Sequence, residues 1–429
     1  MQLEDMILVS VDDHVVEPSD MWEGRVPQKY ADLVPKLVPQ PDGSDAWEFL
    51  GNRSANAGLN AVAGRPPEDY GFDAMAFSEM RPGCYDVHER VRDMSANGVL
   101  AQLNFPSWPG FAARQLLRTP DKDLALAMLR GYNDWHVEGW CGEYPDRFIP
   151  LGLVPIWDPA LIAAEVRRLS RMGCHAVTFA ENPVPLGLPS LHSDHWDPFW
   201  AACEEEGTIV CMHIGSSGRQ VMTAEDAPAG VTHSLTAVST MSAGADLVFS
   251  DIFKKFPTFK FALSEGGIGW VPYLLEKLDT HYAHHRAWTG EDFGGKLPSQ
   301  VFRERIITCF IEDRVGIENR HDIGVDTITW ECDYPHSDST WPDSPEMLWK
   351  QIGHIPDEDI DKITHENAMK AFRFDPYPVR PKEKCTVRAL RAEATDVDTG
   401  YHYVTKRQSL AATSAALRDQ QDRAQESKI

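Results

Sequence analysis

Cations are scarce in this 429-residue chain: 41 Lys and Arg stand against 65 Asp and Glu, a formal balance of −24. So acidic a surface repels polyphosphate and disfavours both nucleic-acid wrapping and docking on an anionic bilayer. Long apolar runs are lacking too; none approaches the roughly 20 residues that span a membrane. The start, MQLEDMILVSVDD, sets acids on both sides of a short apolar stretch, unlike the basic opening of a secretory signal, so a cytoplasmic location is expected. The eight cysteines, at 84, 141, 174, 203, 211, 309, 332 and 385, form no CxxC pair. A zinc ribbon, a redox dithiol and a dense disulfide framework are thereby disfavoured, and free buried thiols are expected. No GxGxxG loop follows the first apolar run, and no flavin, reductase or iron–sulfur motif is present.

What is present is an ordinary globular composition, 42% hydrophobic and 10% aromatic, with a regular alternation along the chain. Apolar β-branched runs at 6–12, 99–105, 148–155, 174–180, 208–214, 259–265, 305–311 and 325–333 are separated by helix-like segments. Continuous apolar strands alternating with helices imply a parallel sheet covered by helices, and eight repeats favour a closed (β/α)8 TIM-type barrel over an open doubly wound sheet. The barrel is expected over residues 1–376. Residues 41–84, rich in Gly, Pro and aromatics, form an insertion after the first strand that is expected to cover the active site. Residues 377–429 make a C-terminal extension, polar beyond 385 and with a helix expected at its end, for packing on the surface or on the partner in a homodimer.

In such a barrel the polar residues that close the strands share one pocket. Asp12 and His14 are two apart on the first strand and so face one side. Glu181 ends the fourth strand, His213 the fifth, Glu265 the sixth and Asp333 the eighth. Each taken singly has an innocent reading as a cap, a loop acid or a packed histidine. Together they bring about four negative charges into one cavity, which cations must neutralise. Two metal ions accommodate six ligands better than one. Glu17, beyond the first strand and before Pro18, reads as a structural hydrogen-bonding group, and His175, mid-run in the fourth, as a packed histidine.

The segments SVDDHVVEP, GCHAVTFAENP, MHIGSSG, SEGGIGWVPYLLEKLD, WECDYPHSDSTWP and THENAMKAF, spread over residues 5–376, resemble the amidohydrolase superfamily, in the branch of aminocarboxymuconate-semialdehyde decarboxylase. The resemblance implies a metal set in which Asp12 and His14 stand for the family's HxH pair, Glu181 for the bridging group of strand four, with His213, Glu265 and Asp333. Two departures stand out. Asp12 replaces the first histidine, and Glu265 occupies the place of a histidine in the decarboxylases. Four carboxylates with two histidines make a hard, anionic set, and the chain also resembles a group of amidohydrolase-fold non-haem di-iron monooxygenases.

The leading expectation is therefore a di-iron oxygenase that hydroxylates an apolar small molecule, drawing electrons from a separate donor. Asp12, His14 and Asp333 would hold one iron, His213 and Glu265 the other, with Glu181 between them. His336 is a candidate donor to a metal-bound carboxylate or an acid/base group, beside Asp333 and Glu265. The alternative is a zinc or manganese hydrolase or decarboxylase with Asp333 or Glu265 as general base; a third reading is a non-catalytic binding protein. Trp47, Phe49, Tyr70, Phe72 and Phe77 in the insertion, and Phe105, Trp108 and Phe111 after strand two, either wall an apolar pocket or pack the cover down.

Overall fold

The computed structural model describes residues 1–403 apart from 56, 57, 72 and 220; Phe72 and the expected terminal helix lie outside the described residues. Eight parallel strands form the barrel: β1 Val9–Val15, β2 Ala101–Pro106, β3 in two pieces at Phe148–Ile149 and Gly152–Leu153, and β4 Ala176–Thr178. They continue as β5 Ile209–His213, β6 Phe261–Ser264, β7 Ile306–Phe310 and β8 Ile328–Trp330. The first piece of β3 pairs with β2 and the second with β4, so the ring is complete around it. Each of the eight apolar runs contains one strand. The first strand reaches further than its apolar run suggests, through Val15, and so takes in both Asp13 and His14.

Apolar side chains explain the order of the layers. Val9, Val11, Ala101, Leu103, Ala176, Cys211, Ala262 and Ile307 fill the barrel interior with Phe372 and Leu390 nearby, while Val166, Leu169, Phe199, Trp200, Leu274 and Leu275 from the helices pack outside. The helices stop where the sequence dictates: Gly98 and Gly207 adopt left-handed conformations at the ends of Val87–Asn97 and Asp197–Glu206. All eight cysteines are free and buried. No helix among the described residues is long and apolar enough to cross a membrane.

The segment after β1 opens with a three-stranded antiparallel sheet, Lys36–Pro39, Asp45–Phe49 and Asn52–Ala55, and continues in short 3-10 turns to Cys84. Trp47 packs against Trp22 and Trp108, and Phe49 against Trp108, so these rings clamp the sheet onto the loop after β2. Val62 and Ala63 donate backbone hydrogen bonds to Pro335 O, tying the same segment to the loop after β8. Beyond residue 376 the chain is integrated with the barrel: Cys385, Val387 and Leu390 are buried, and Val387 N donates to Met6 O at 2.9 Å.

β1 and β8 meet along a seam that continues past their paired residues. Cys332 N donates to Ser10 Oγ at 2.7 Å, Asp333 N to Asp12 O at 2.9 Å and His14 N to Tyr334 O at 2.7 Å. The candidate site is built on this seam.

Candidate metal centre

The register of β1 against β2 shifts between Ser10 and Asp13, a local irregularity where Asp12 is turned into the barrel mouth. Its carboxylate approaches His213 Nε2 at 3.6 Å. His14 Nε2 lies 2.9 Å from Asp333 Oδ1, and His213 Nε2 lies 3.0 Å from Glu265 Oε2. His336 Nδ1 is hydrogen-bonded to Asp333 Oδ2 at 2.8 Å and lies 3.8 Å from Glu265 Oε1. Donor atoms of Asp12, His14 and His213 fall within 4.8 Å of one another, as do those of His14, Asp333 and His336. The structure thus brings Asp12, His14, His213, Glu265, Asp333 and His336 together.

Backbone conformation aims two of these groups. Glu265 and Asp333 have φ of 58° and 60°, the left-handed region that non-glycine residues seldom occupy. Such strain costs of order 1–3 kcal/mol per residue and collects at functional sites. His213 Nδ1 is fixed by Ile214 O at 2.6 Å, so Nδ1 carries the proton and Nε2 presents its lone pair. Beneath, the Asp13 carboxylate accepts from Gln102 Nε2 and Tyr334 N, both at 2.9 Å, and Arg90 Nη2 donates to His14 O at 2.7 Å.

These donors suit a cation. Both Asp12 oxygens, both His14 ring nitrogens, His213 Nε2 and Asp333 Oδ1 are buried without a hydrogen-bond partner among the described residues, an arrangement that is costly unless a shared positive charge occupies the centre. Electrostatics agree. Burial and the neighbouring Glu331, Glu265 and Asp333 carboxylates hold Asp12 well above the usual carboxylate range. Burial lowers His14 and thus favours the neutral, ligating imidazole. Burial also opposes ionisation of Asp333, but His336 and His14 outweigh it and keep that carboxylate below its usual range. For His336 burial is outweighed in turn by Asp333, Glu265 and Asp338, which push it up to about 10.

Glu181, expected to bridge two metals, is turned elsewhere. Its Oε1 accepts from Gly215 N at 3.1 Å and Ser217 Oγ at 2.9 Å and braces the loop after β5, while Oε2 is buried without a hydrogen-bond partner; the residue joins none of the ligand clusters among the described residues. Glu17 accepts from Ser107 N at 2.8 Å and Trp108 N at 2.9 Å and pins the loop after β2. His175, just before β4, meets Arg373 at 3.4 Å. Reading strand ends misses Glu331, which accepts from Glu265 N at 3.2 Å and Cys309 Sγ at 2.5 Å, and is raised well above its usual range by burial. Its signal was the two-residue spacing from Asp333.

Glu17 offers a test of the loop that it holds. Burial, opposed by its hydrogen bonds from Trp108 and Ser107, raises it to about 7. A raised folded-state pKa means that the native state holds the proton more tightly, so stability falls as pH rises from about 4.5 and levels off above about 7. The span corresponds to about 3 kcal/mol. Glu17→Gln is expected to remove that component, and urea unfolding of both proteins at pH 5 and pH 8 measures it. An unchanged difference between the two pH values would place the titration elsewhere.

A closed parallel barrel with carboxylates and imidazoles converging at its C-terminal mouth defines the metal-dependent barrel enzymes. The amidohydrolase family model matches residues 57–374, well over half of the chain, and the protein belongs to that family. Gamma-resorcylate decarboxylase of Rhizobium sp. (strain MTP-10005) is 24% identical over 345 residues, covering 74% of this chain and 94% of the relative. Among solved structures, an amidohydrolase from Mycobacterium avium subsp. paratuberculosis K-10 superposes with TM-score 0.67 at 20% identity, covering 85% of this chain and 97% of the other. The 5-carboxyvanillate decarboxylase of Novosphingobium aromaticivorans DSM 12444, solved with manganese and 4-hydroxy-3-methoxy-5-nitrobenzoic acid, superposes with TM-score 0.58 at 17% identity, covering 87% and 99%.

These relatives overturn the expectation of a di-iron monooxygenase with an external electron donor, because the similar proteins of stated activity are decarboxylases. The physical reason lies in the argument from ligand hardness. Carboxylate-rich sets suit manganese as well as iron, so counting acids does not choose between them.

Proposed function

We propose that this protein is a metal-dependent decarboxylase of hydroxylated aromatic acids, using one divalent ion of the manganese or zinc type. The observation that carries the reading is the convergence of unpartnered donor atoms from Asp12, His14, His213 and Asp333, in a chain whose curated relative decarboxylates gamma-resorcylate. When bound by these four residues, the ion supplies a Lewis acid that anchors anionic substrate oxygens.

The remaining groups provide a wall and a proton. Phe111 stacks on the His213 ring with centroids 3.9 Å apart, and Phe105 meets the same ring edge-on at 4.9 Å, so a flat apolar surface borders the ligands and excludes water. The proton between His336 Nδ1 and Asp333 Oδ2 is held where the Asp333, Glu265 and Asp338 carboxylates outweigh burial and keep His336 cationic. Delivered through Asp333 to the ring carbon bearing the carboxylate, it lets the carbon–carbon bond pair return to the ring as carbon dioxide leaves. The step is redox-neutral and calls for no electron donor. Glu265, beside both His213 and His336, restrains their orientation.

Incubation of the manganese-loaded protein with dihydroxybenzoic acids, without oxygen or reductant, is expected to release carbon dioxide. In deuterium oxide the product should carry one deuteron at the vacated carbon. Turnover that requires oxygen, or product without deuterium at that carbon, would rule out the reading.

A further inference from the structure

Two aromatic residues bracket the loop that carries His336, and both end on one acidic residue, Asp93. Tyr334, buried between Asp333 and Pro335, donates its hydroxyl to Asp93 Oδ2 at 2.6 Å. Trp341, at the far end of the same loop, donates Nε1 to Asp93 O at 3.1 Å, and the two rings meet edge-on with centroids 5.9 Å apart. Asp93 lies on the helix Val87–Asn97 and is itself buried. Its two carboxylate oxygens each accept from Arg81 at 2.7 Å, and the Arg81 guanidinium lies over the Trp341 ring at 4.4 Å. A Cβ built on Gly83 would collide with Asp93 Oδ2 and stand 2.6 Å from the Tyr334 hydroxyl, so only glycine admits this bond.

The main chain of Tyr334 is held as firmly as its side chain. N donates to Asp13 Oδ1 at 2.9 Å, O accepts from His14 N at 2.7 Å, and the Arg90 guanidinium lies over the ring at 4.5 Å. Between the two anchors, His336 N donates to Asp333 O at 2.9 Å and Ser339 N to His336 O at 3.2 Å. A turn closed on itself in this way moves as a unit, so residues 334 and 341 decide where the imidazole stands. That placement matters because His336 Nδ1 meets Asp333 Oδ2 at 2.8 Å, and Asp333 keeps a φ of 60° that persists only where the surroundings over-determine it. The charge of Asp93 is already answered by both bonds from Arg81. The bond from Tyr334 is a third, and it runs towards the metal centre.

Resting on the decarboxylase reading above, we propose that Asp93 is a positioning residue for the proton transfer: through Tyr334 and Trp341 it fixes the loop that presents His336 to Asp333. It acts from the outer side of the loop and enters no ligand cluster among the described residues.

Tyr334→Phe keeps the ring under Arg90 and removes only the hydroxyl, whereas Asp93→Asn removes the charge on which the anchors converge. In zinc-loaded full-length protein the His336 Nδ1 proton held by Asp333 should give a downfield proton resonance, assigned by its absence in His336→Gln. Both variants are expected to shift that resonance or broaden it away, a readout that needs no substrate. In turnover they should lower kcat by about tenfold to a hundredfold with KM unchanged, the scale of a misplacement of about 1 Å. The double variant should lose little more than the larger single loss, since both changes break the same bond. Asp359→Asn breaks the separate pair with Arg320, 2.6 Å in length, and controls for stability: it should leave the resonance and kcat as they are. An unchanged resonance in Tyr334→Phe, or a loss of kcat that Asp359→Asn reproduces, would overturn the role of Asp93. A resonance altered by both variants, in a protein that decarboxylates no hydroxybenzoic acid, would sustain the placement of His336 by Asp93 and sink the reaction.

Discussion

Asp333→Asn is expected to lower kcat by roughly 10³-fold or more, the range for removing a positioned acid/base group together with a metal-binding oxygen. Two separate functions meet in this carboxylate: Oδ1 faces His14 Nε2 at 2.9 Å and Oδ2 holds His336 Nδ1 at 2.8 Å. Asparagine is the appropriate replacement because it tolerates the left-handed backbone that Asp333 adopts, whereas alanine would add strain to the loss of charge. The variant should also change the titration of His336. In metal-depleted native protein, His336 is raised to about 10, so it contributes stability that is complete below pH 6.5 and lost as pH rises through about 10. Asp333→Asn should weaken that alkaline dependence, leaving the part due to Glu265 and Asp338. Activity within tenfold of the native enzyme would remove Asp333 from the chemistry.

Removal of the metal should have the second large effect. Dialysis against a chelator is expected to abolish decarboxylation, and manganese should restore it at about one ion per chain by elemental analysis. At about a thousandfold excess over Kd, a ligand of the native state adds about 4 kcal/mol of stability. For a chain of this size that raises Tm by about 5 °C. Reloading with iron in the presence of oxygen and a reductant should yield no hydroxylated product. Full activity in protein holding less than a tenth of an equivalent of metal would contradict the assignment of these residues.

The barrel was legible because each of its strands is buried on both faces and therefore reads as an unbroken apolar run, such as VCMHI in β5 or RIITCF leading through β7. Less legible was where those runs stop. Polar Asp12, Asp13 and His14 continue β1 because backbone pairing with β2 and β8 persists after the apolar pattern ends. The residues at strand ends could be picked out for the same geometric reason that the barrel has one functional face. Their side-chain directions could not: Glu181 turns towards donors on the β5 loop that are 34 and 36 residues away. Glu331 escaped notice because it precedes the conspicuous Asp333 and takes its partners, Cys309 and the backbone of Glu265, from two other segments. The reaction was least legible of all, since the same ligand types serve several metals and the choice among them is made by surroundings.

The seam between β1 and β8 has a bearing on biosynthesis. Asp12 and His14 leave the ribosome more than three hundred residues before Asp333, yet the two groups join through Asp333 N to Asp12 O. Contacts so distant along the chain form late and slowly. No nascent fragment lacking the eighth strand possesses the ligand set, so an incomplete chain offers a passing metal ion only scattered side chains. Acquisition of the ion then marks the closing of the ring, and the cell obtains a reactive centre only from molecules whose first and last strands have already found each other.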